Sequence, residues 1–347
     1  MKTSPISAAD LELILEQTRA SWEEMRGQRI FITGGTGFFG CWLVESFCHI
    51  NRALGLGAQA TVLSRNPEKF AAKAPLLAGD SAVTLLAGDV RSFDFPAGEF
   101  RFVIHAATET TGAQTDDDLR STIVAGTERV LDFAAQSGAR KFLLTSSGAV
   151  YGPQPTTITH LPESYACAPD PANAYAAGKL AAELMCGERQ RVARTRGVEF
   201  DAKIARCWAF VGPHLPLDAH FAIGNFIGDA LAGRAISIAG DGTPRRSYLY
   251  AADLAMWLWT ILFRAPALTP INVGSGDDVS IRELAEVVAR TLAPATQILV
   301  AKQAAPEAPV SRYVPSVELA EQLLGLRASV DLAEAIRRTA AWHRGRC

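Results

Sequence analysis

The segment RIFITGGTGFFG, residues 29–40, constrains the fold more than any other part of the chain. A short run of β-favouring residues enters a turn that holds Gly34, Gly35, Gly37 and Gly40, and the apolar stretch FFGCWLVESFCHINRAL follows. An ordinary turn needs one or two glycines. Four of them between a strand and a helix let a pyrophosphate lie against the backbone, where N–H groups and the helix dipole meet its charge. A lone G-x-G-x-x-G says little. Placed after a strand, opening a helix, and first in an alternating chain, it points to a bound dinucleotide.

That alternation is present. RIFIT, ATVLS, VTLLAGD, FRFVIHAA, KFLLTSS and FDAKIARCWAF read as strands. Their near-continuous apolar runs suit a parallel sheet covered on both faces. Between them, FFGCWLVESFCHINRAL, DLRSTIVAGTERVLDFAAQSG and AYAAGKLAAELMCGERQRVAR carry helical patterning. The expected fold class is α/β, a doubly wound parallel (Rossmann) sheet. Three regions are expected. Residues 1–27 form a helical extension capped by Ser7, packed on the outside of the fold. Residues 28–211 form the dinucleotide-binding domain. Residues 212–347, rich in Pro, Gly and short elements, form mainly a smaller C-terminal α/β substrate-binding lobe, with some segments returning to the Rossmann domain.

Composition excludes several partners. The 347 residues carry a formal net charge of −2 and no basic stripe, which argues against nucleic acid. Cys41, Cys48, Cys167, Cys186, Cys207 and Cys347 form no C-x-x-C pair and no zinc-spaced cluster. Free thiols of a reducing compartment are expected, and no metal. MKTSPISAADLELILEQ is too polar for a signal peptide. The apolar run LAMWLWTILF is short of the roughly 20 residues a bilayer span needs. A soluble, cytoplasmic protein without a membrane partner is the expectation.

The strand ATVL ends in Ser64-Arg65-Asn66, where an NAD site usually carries an acid for the ribose 2′-hydroxyl. The Arg65 guanidinium instead suits a 2′-phosphate. NADP(H) is favoured and NAD(H) stays open. Further on, NAYAAGK sets Tyr175 and Lys179 four apart at a helix start, so both face one way. A neighbouring ammonium and an oxidised nicotinamide favour the phenolate, which could exchange a proton with a sugar hydroxyl.

With TGGTGFFG (33–40), GDV (88–90), HAA (105–107), SSGAVYG (146–152), YAAGK (175–179) and RRSYLYAADL (245–254), the chain resembles the extended short-chain dehydrogenases/reductases of the nucleotide-sugar epimerase/dehydratase group. The resemblance implies roles. Gly34, Gly37, Phe38, Phe39, Gly40, Ser64 and Arg65 would contact the cofactor. Asp89 and Val90 would flank the adenine, and Ala106 and Ala107 would line the nicotinamide side. Ser147 would hold the reacting sugar oxygen and Tyr175 would be the acid/base. Lys179 would hold the nicotinamide ribose and lower the tyrosine pKa. Arg246 would bind the diphosphate of the sugar nucleotide. Asn225, with His214 and His220, would lie in the segment over the nucleotide. A homodimer would form through helices near 116–137 and 175–195, using Ile123, Val130, Leu131, Leu180, Leu184 and Met185.

Two departures narrow the reaction. Gly148 and Ala149 stand where the family's 4,6-dehydratases carry an Asp-Glu pair, and related decarboxylases place a Glu at the position of Ala149. Neither residue can move a proton. Ala209 replaces an Asn that often contacts the diphosphate. Ser147, Tyr175 and Lys179 alone suffice for hydride transfer at one carbon. An NADPH-dependent reductase of NDP-4-keto-(6-deoxy)sugars is placed first and a 4-epimerase with tightly bound NAD(P) close behind. A 4,6-dehydratase and a non-catalytic nucleotide-binding relative trail.

Overall fold

The computed structural model describes residues 5–108, 115–219, 221–305 and 309–345. In the first half of the chain, α1 (Ala8–Thr18) precedes β1 (Arg29–Thr33), α2 (Phe38–Leu54), β2 (Gln59–Ser64), α3 (Pro67–Lys73), α4 (Pro75–Ala78), β3 (Val83–Ala87) and β4 (Phe102–His105). Next come α5 (Asp116–Gln136), β5 (Lys141–Ser147), α6 (Ala174–Thr195), β6 (Asp201–Cys207) and β7 (Phe210–Val211). Then follow α7 (Ala222–Leu231), β8 (Ile236–Ile238), β9 (Arg245–Ser247), β10 (Leu249–Tyr250), α8 (Ala251–Arg264) and β11 (Pro270–Val273). The chain closes with β12 (Asp278–Ser280), α9 (Ile281–Leu292), β13 (Ile298–Val300), β14 (Arg312–Tyr313), α10 (Glu318–Leu324) and α11 (Leu332–His343).

Seven parallel strands form one sheet in the order β11-β6-β5-β4-β1-β2-β3. The chain leaves β1 toward β2 and β3, then returns to place β4 on the other side of β1. The crevice of such a sheet opens at that reversal, beyond the carboxyl ends of the strands. Here Thr33 pairs with His105, so the glycine turn after β1 and the Ala106-Ala107 turn after β4 lie side by side.

Strand alternation splits the core between the two faces. Ile30 and Ile32 join the cluster of α2 and α8, whereas Phe31 joins that of α5 and α6. The run LAMWLWTILF lies in α8, where every residue from Ala251 to Phe263 is buried. A helix apolar all round needs cover on both sides. The sheet supplies one side and α1 the other. The extension is therefore a second layer keyed into the molecule rather than an outer attachment. Trp22 packs at a tilt against Trp259 with ring centroids 4.7 Å apart, and the Asp10 carboxylate accepts from Tyr250 at 2.8 Å and from Arg338 at 2.5 Å. Ser7 caps α1 by accepting from Asp10 N–H.

The region after residue 212 divides its elements. Strand β11 completes the large sheet, and α8 packs beneath it. The three-stranded β12-β9-β14 and two-stranded β13-β8 sheets stand apart from it. Cys41, Cys48, Cys167, Cys186 and Cys207 are free thiols. Among the described residues there is no metal-binding cluster, and no helix is long and apolar enough to cross a membrane.

Candidate active site

The glycine turn is shaped by close backbone contacts. Gly34 has φ +71°, and a Cβ there would lie 2.4 Å from the Ala106 carbonyl oxygen. A Cβ on Gly40 would meet the Gly34 oxygen at 2.2 Å. These two positions admit only glycine for packing reasons. Gly37 differs: its Cβ would meet nothing nearer than 3.5 Å. It caps α2 without a side-chain hydrogen bond, which leaves the helix N-terminus open to an anion. The turn thus fits a dinucleotide pyrophosphate. Phe38 and Phe39 follow with rings 5.8 Å apart, both partly buried.

The turn after β4 is held by a hydrogen-bonded row. The Thr127 hydroxyl donates to the Ile123 carbonyl at 2.6 Å, so it can only accept from His105 Nε2–H at 3.0 Å. His105 Nδ1 then accepts from Thr33 Oγ1 at 2.8 Å, and Thr33 Oγ1 accepts from Ala107 N–H at 3.2 Å. Burial, with the nearby Lys179 charge, pushes the imidazole pKa down to about 3. The ring is a neutral strut that fixes Ala107, next to Ala106, at the crevice.

At the other end of the crevice, Ser64 is buried and accepts from Asn66 N–H at 3.2 Å. Arg65 lies close enough to Asp89 for its charge to be felt there. Asp89 is held below the usual carboxylate range first by its hydrogen bonds from Arg91, which also pairs with Asp118 at 2.7 Å. Val90 is buried against Gly126, where a Cβ would come within 2.9 Å.

The trio expected to be catalytic, Ser147, Tyr175 and Lys179, sits on β5 and α6. Ser147 ends β5, is buried, and accepts from Ala149 N–H at 3.1 Å. Tyr175 and Lys179 lie in the first turns of α6, capped by Asn173. Ser147 lies close enough to Tyr175 to lower its phenol pKa against the effect of burial. Lys179 is buried and donates to Thr145 O at 2.8 Å and Thr108 Oγ1 at 2.7 Å, with Nζ 5.9 Å from the Tyr175 ring. Burial pushes its pKa down to about 8. Burial raises the Tyr175 phenol pKa, and the neighbouring Ser147 offsets part of that rise. The Lys179 ammonium is held by the β5 carbonyl and Thr108.

Beside the trio lies Trp208, which sequence reasoning missed. A Cβ on Gly148 would fall 2.6 Å from its indole. The indole donates to Asn272 Oδ1 at 3.1 Å, fixing it in place. Tyr313, also missed, packs at a tilt against Trp208 with ring centroids 4.4 Å apart, and Ser147 lies near its phenol. Only the three-dimensional meeting of the residue after β6 with β14 beside Gly148 reveals the pair.

Arg246 lies on β9 opposite Tyr313, its guanidinium 6.0 Å from that ring. Its neighbour Arg245 is paired with Asp278 and Glu283, whereas Arg246 has no carboxylate partner among the described residues. Asn225 is exposed on α7, which packs on α9, α11 and β8. His214 is buried with φ +71°, 4.6 Å from the Trp342 ring and 4.0 Å from Glu45. His220 and Cys347 lie outside the described residues.

Residues 30–274 match the model of the NAD dependent epimerase/dehydratase family. The chain belongs to this family. UDP-glucuronic acid decarboxylase 3 of Arabidopsis thaliana is 30% identical to it over 89% of this chain and 86% of that protein. UDP-glucuronic acid decarboxylase 5 of the same plant is 33% identical over 62% of this chain, and the match spans 61% of that protein. A UDP-N-acetylglucosamine 4-epimerase from Methanobrevibacter ruminantium superposes with a TM-score of 0.76 at 19% identity, covering 93% of this chain and all of that one. A UDP-galactose 4-epimerase superposes with a TM-score of 0.70 at 25% identity, covering 92% of this chain and 99% of that one. The chain is therefore an extended short-chain dehydrogenase/reductase, similar to decarboxylases, epimerases and dehydratases of nucleotide sugars.

Proposed function

We propose that this family member transfers hydride at C4 of a nucleotide-diphosphate sugar. Within that class we place it as an NADPH-dependent reductase of NDP-4-keto-(6-deoxy)sugars. The observation that carries the reading is the indole of Trp208, which fills the space that a side chain on Gly148 would need. Elimination across C5 and C6 calls for acid/base groups there, and Ala149 supplies none either. The decarboxylase relatives do not transfer their chemistry, because the resemblance places a Glu at position 149 in such enzymes.

What remains is proton and hydride exchange at one carbon. NADPH, when bound, supplies the hydride. Gly34, Gly37 and Gly40 would hold its pyrophosphate, and Arg65 its 2′-phosphate. Phe38, Phe39 and Ser64 would line the same cleft, with Asp89 and Val90 at the adenine and Ala106 and Ala107 at the nicotinamide. Ser147 orients the reacting oxygen. Tyr175 donates its proton to that oxygen, and burial, by keeping the phenol protonated, suits it to the role. Lys179 keeps one N–H beyond the two bonded to Thr145 and Thr108, which would reach the nicotinamide ribose. Arg246, without a carboxylate partner, would take the substrate diphosphate.

The test is loss of reduced-nicotinamide absorbance with NDP-4-keto-6-deoxyhexoses. Tyr175→Phe should slow turnover by about 10²–10⁴-fold and leave cofactor affinity unchanged. Exchange of C4 stereochemistry in an NDP-hexose, with no outside reductant consumed, would favour the second reading, a 4-epimerase. The structural likeness to UDP-galactose 4-epimerase supports that alternative.

A homodimer through α5 and α6 is part of the proposal, on a narrower surface than the sequence suggested. Ile123, Val130 and Leu131 are buried within the protomer, where they pack under its own sheet. Leu184, 67% exposed, with the partly buried Leu180 and Met185, remains for a partner helix.

A further inference from the structure

Thr108 is the first residue past the Ala106-Ala107 turn, and its side chain joins that turn to α6. Its hydroxyl donates to the Ala107 carbonyl at 2.8 Å. That uses its one proton, so toward Lys179 the oxygen can only accept, and the ammonium donates to it at 2.7 Å. The Ala107 N–H is taken by Thr33 Oγ1 at 3.2 Å, so Ala107 is held on both sides. The row that begins at Thr127 and passes through His105, Thr33 and Ala107 therefore ends on the Lys179 ammonium. An ammonium has three N–H groups and no lone pair. Lys179 is buried, so each N–H that finds no acceptor disfavours the charged form. The Thr145 carbonyl takes one at 2.8 Å and Thr108 takes the second.

We propose that Thr108 is a positioning residue for Lys179: its hydroxyl holds the side chain as an ammonium and leaves one N–H over for the nicotinamide ribose. The proposal rests on Lys179 being the ribose-binding residue of the function proposed above. Thr108 touches neither the reacting carbon nor the hydride in this scheme. It acts through Lys179, and it is itself oriented by the turn that lines the nicotinamide side of the crevice. A residue without a hydroxyl at position 108 would leave a buried N–H without its acceptor and push the amine toward its neutral form.

The titratable and charged groups around Lys179 are His105 on β4, Tyr175 and Glu183 on α6, and Cys207 on β6. Glu183 is paired with Arg206 of β6 at 2.7 Å. Burial pushes the His105 imidazole down to about 3 and the Cys207 thiol up to about 12, and it raises the Tyr175 phenol. These three keep their neutral forms while Lys179, pushed down by burial to about 8, loses its proton. A contact made by the ammonium is present below the Lys179 pKa and lost as pH rises through it. Removing an acceptor of the ammonium lowers that pKa further.

The test needs no sugar substrate. Cofactor fluorescence gives the NADPH Kd against pH for the full chain, Thr108→Val, Thr108→Ser and Lys179→Met. Valine keeps the shape of the side chain and removes the hydroxyl; serine keeps the hydroxyl. NADH is titrated in parallel, because both cofactors carry the same nicotinamide ribose. The expected result is an affinity that falls as pH rises through about 8 in the full chain. In Thr108→Val the fall should come about one pH unit lower, the scale of one hydrogen bond to a charged group, and Thr108→Ser should restore it. An unchanged midpoint in Thr108→Val, or an equal shift in Thr108→Ser, would overturn the proposal and leave Thr108 as packing alone. If affinity in the full chain does not change with pH and Lys179→Met binds as tightly, Lys179 does not hold the ribose, and the role of Thr108 fails with it. A preference for NADH with the Thr108→Val shift intact would support the proposal and correct the reading of Arg65 alone.

Discussion

At the scale of the residue, the reaction class turns on what stands beside Ser147. The sequence alone shows that Gly148 and Ala149 cannot move protons. It does not show that Gly148 is required for packing. The indole of Trp208 fills its side, at 2.6 Å from an added Cβ. Gly148→Asp, the replacement that would imitate a dehydratase, should therefore fail to confer elimination and should cost about 1–3 kcal/mol by overpacking. Chemical denaturation and a product assay check both parts; a stable variant that eliminates water would refute the account of Trp208. Ser147, Tyr175 and Lys179 were legible because they lie at the end of one strand and the start of the next helix, within recognisable local spacing. Tyr313 was not. It belongs to a two-residue strand without periodicity, and nothing local says which distant ring it will pack against.

At the scale of the element, the large sheet was legible. Its strands are continuous apolar runs, and β5 matches its sequence reading to the residue at Lys141–Ser147. The N-terminal helix was legible as a helix but not as a second layer. Its partner α8 reads simply as an apolar run, and apolar patterning does not say what covers it. The Asp10 side chain shows the coupling, since it is buried and bonded to Tyr250 on β10 and Arg338 on α11. Asp10→Ala would leave a buried phenol hydroxyl and a half-buried guanidinium without their shared acceptor. The expected loss is about 2 kcal/mol in denaturant unfolding, with cofactor affinity intact. A loss within error would mean that α1 is held by its apolar face alone.

At the scale of the whole molecule, the crevice is a consequence of topology. The reversal between β1 and β4 brings the glycine turn beside Ala106 and Ala107, and the ends of β5 and α6 carry the trio to the same edge. The proposed dimer uses the outer face of α5 and α6. Leu184→Arg should convert the dimer to monomer in sedimentation at micromolar concentration; an unchanged mass would place any self-association elsewhere. The cofactor distinguishes a reductase from an epimerase more directly than any variant. The deciding measurement is the nucleotide released when the freshly purified protein is denatured. The account predicts little bound nucleotide, with reversible binding of NADPH in preference to NADH. Stoichiometric NAD would contradict it: Arg65 would not be reading a 2′-phosphate, and the enzyme would recycle its own hydride.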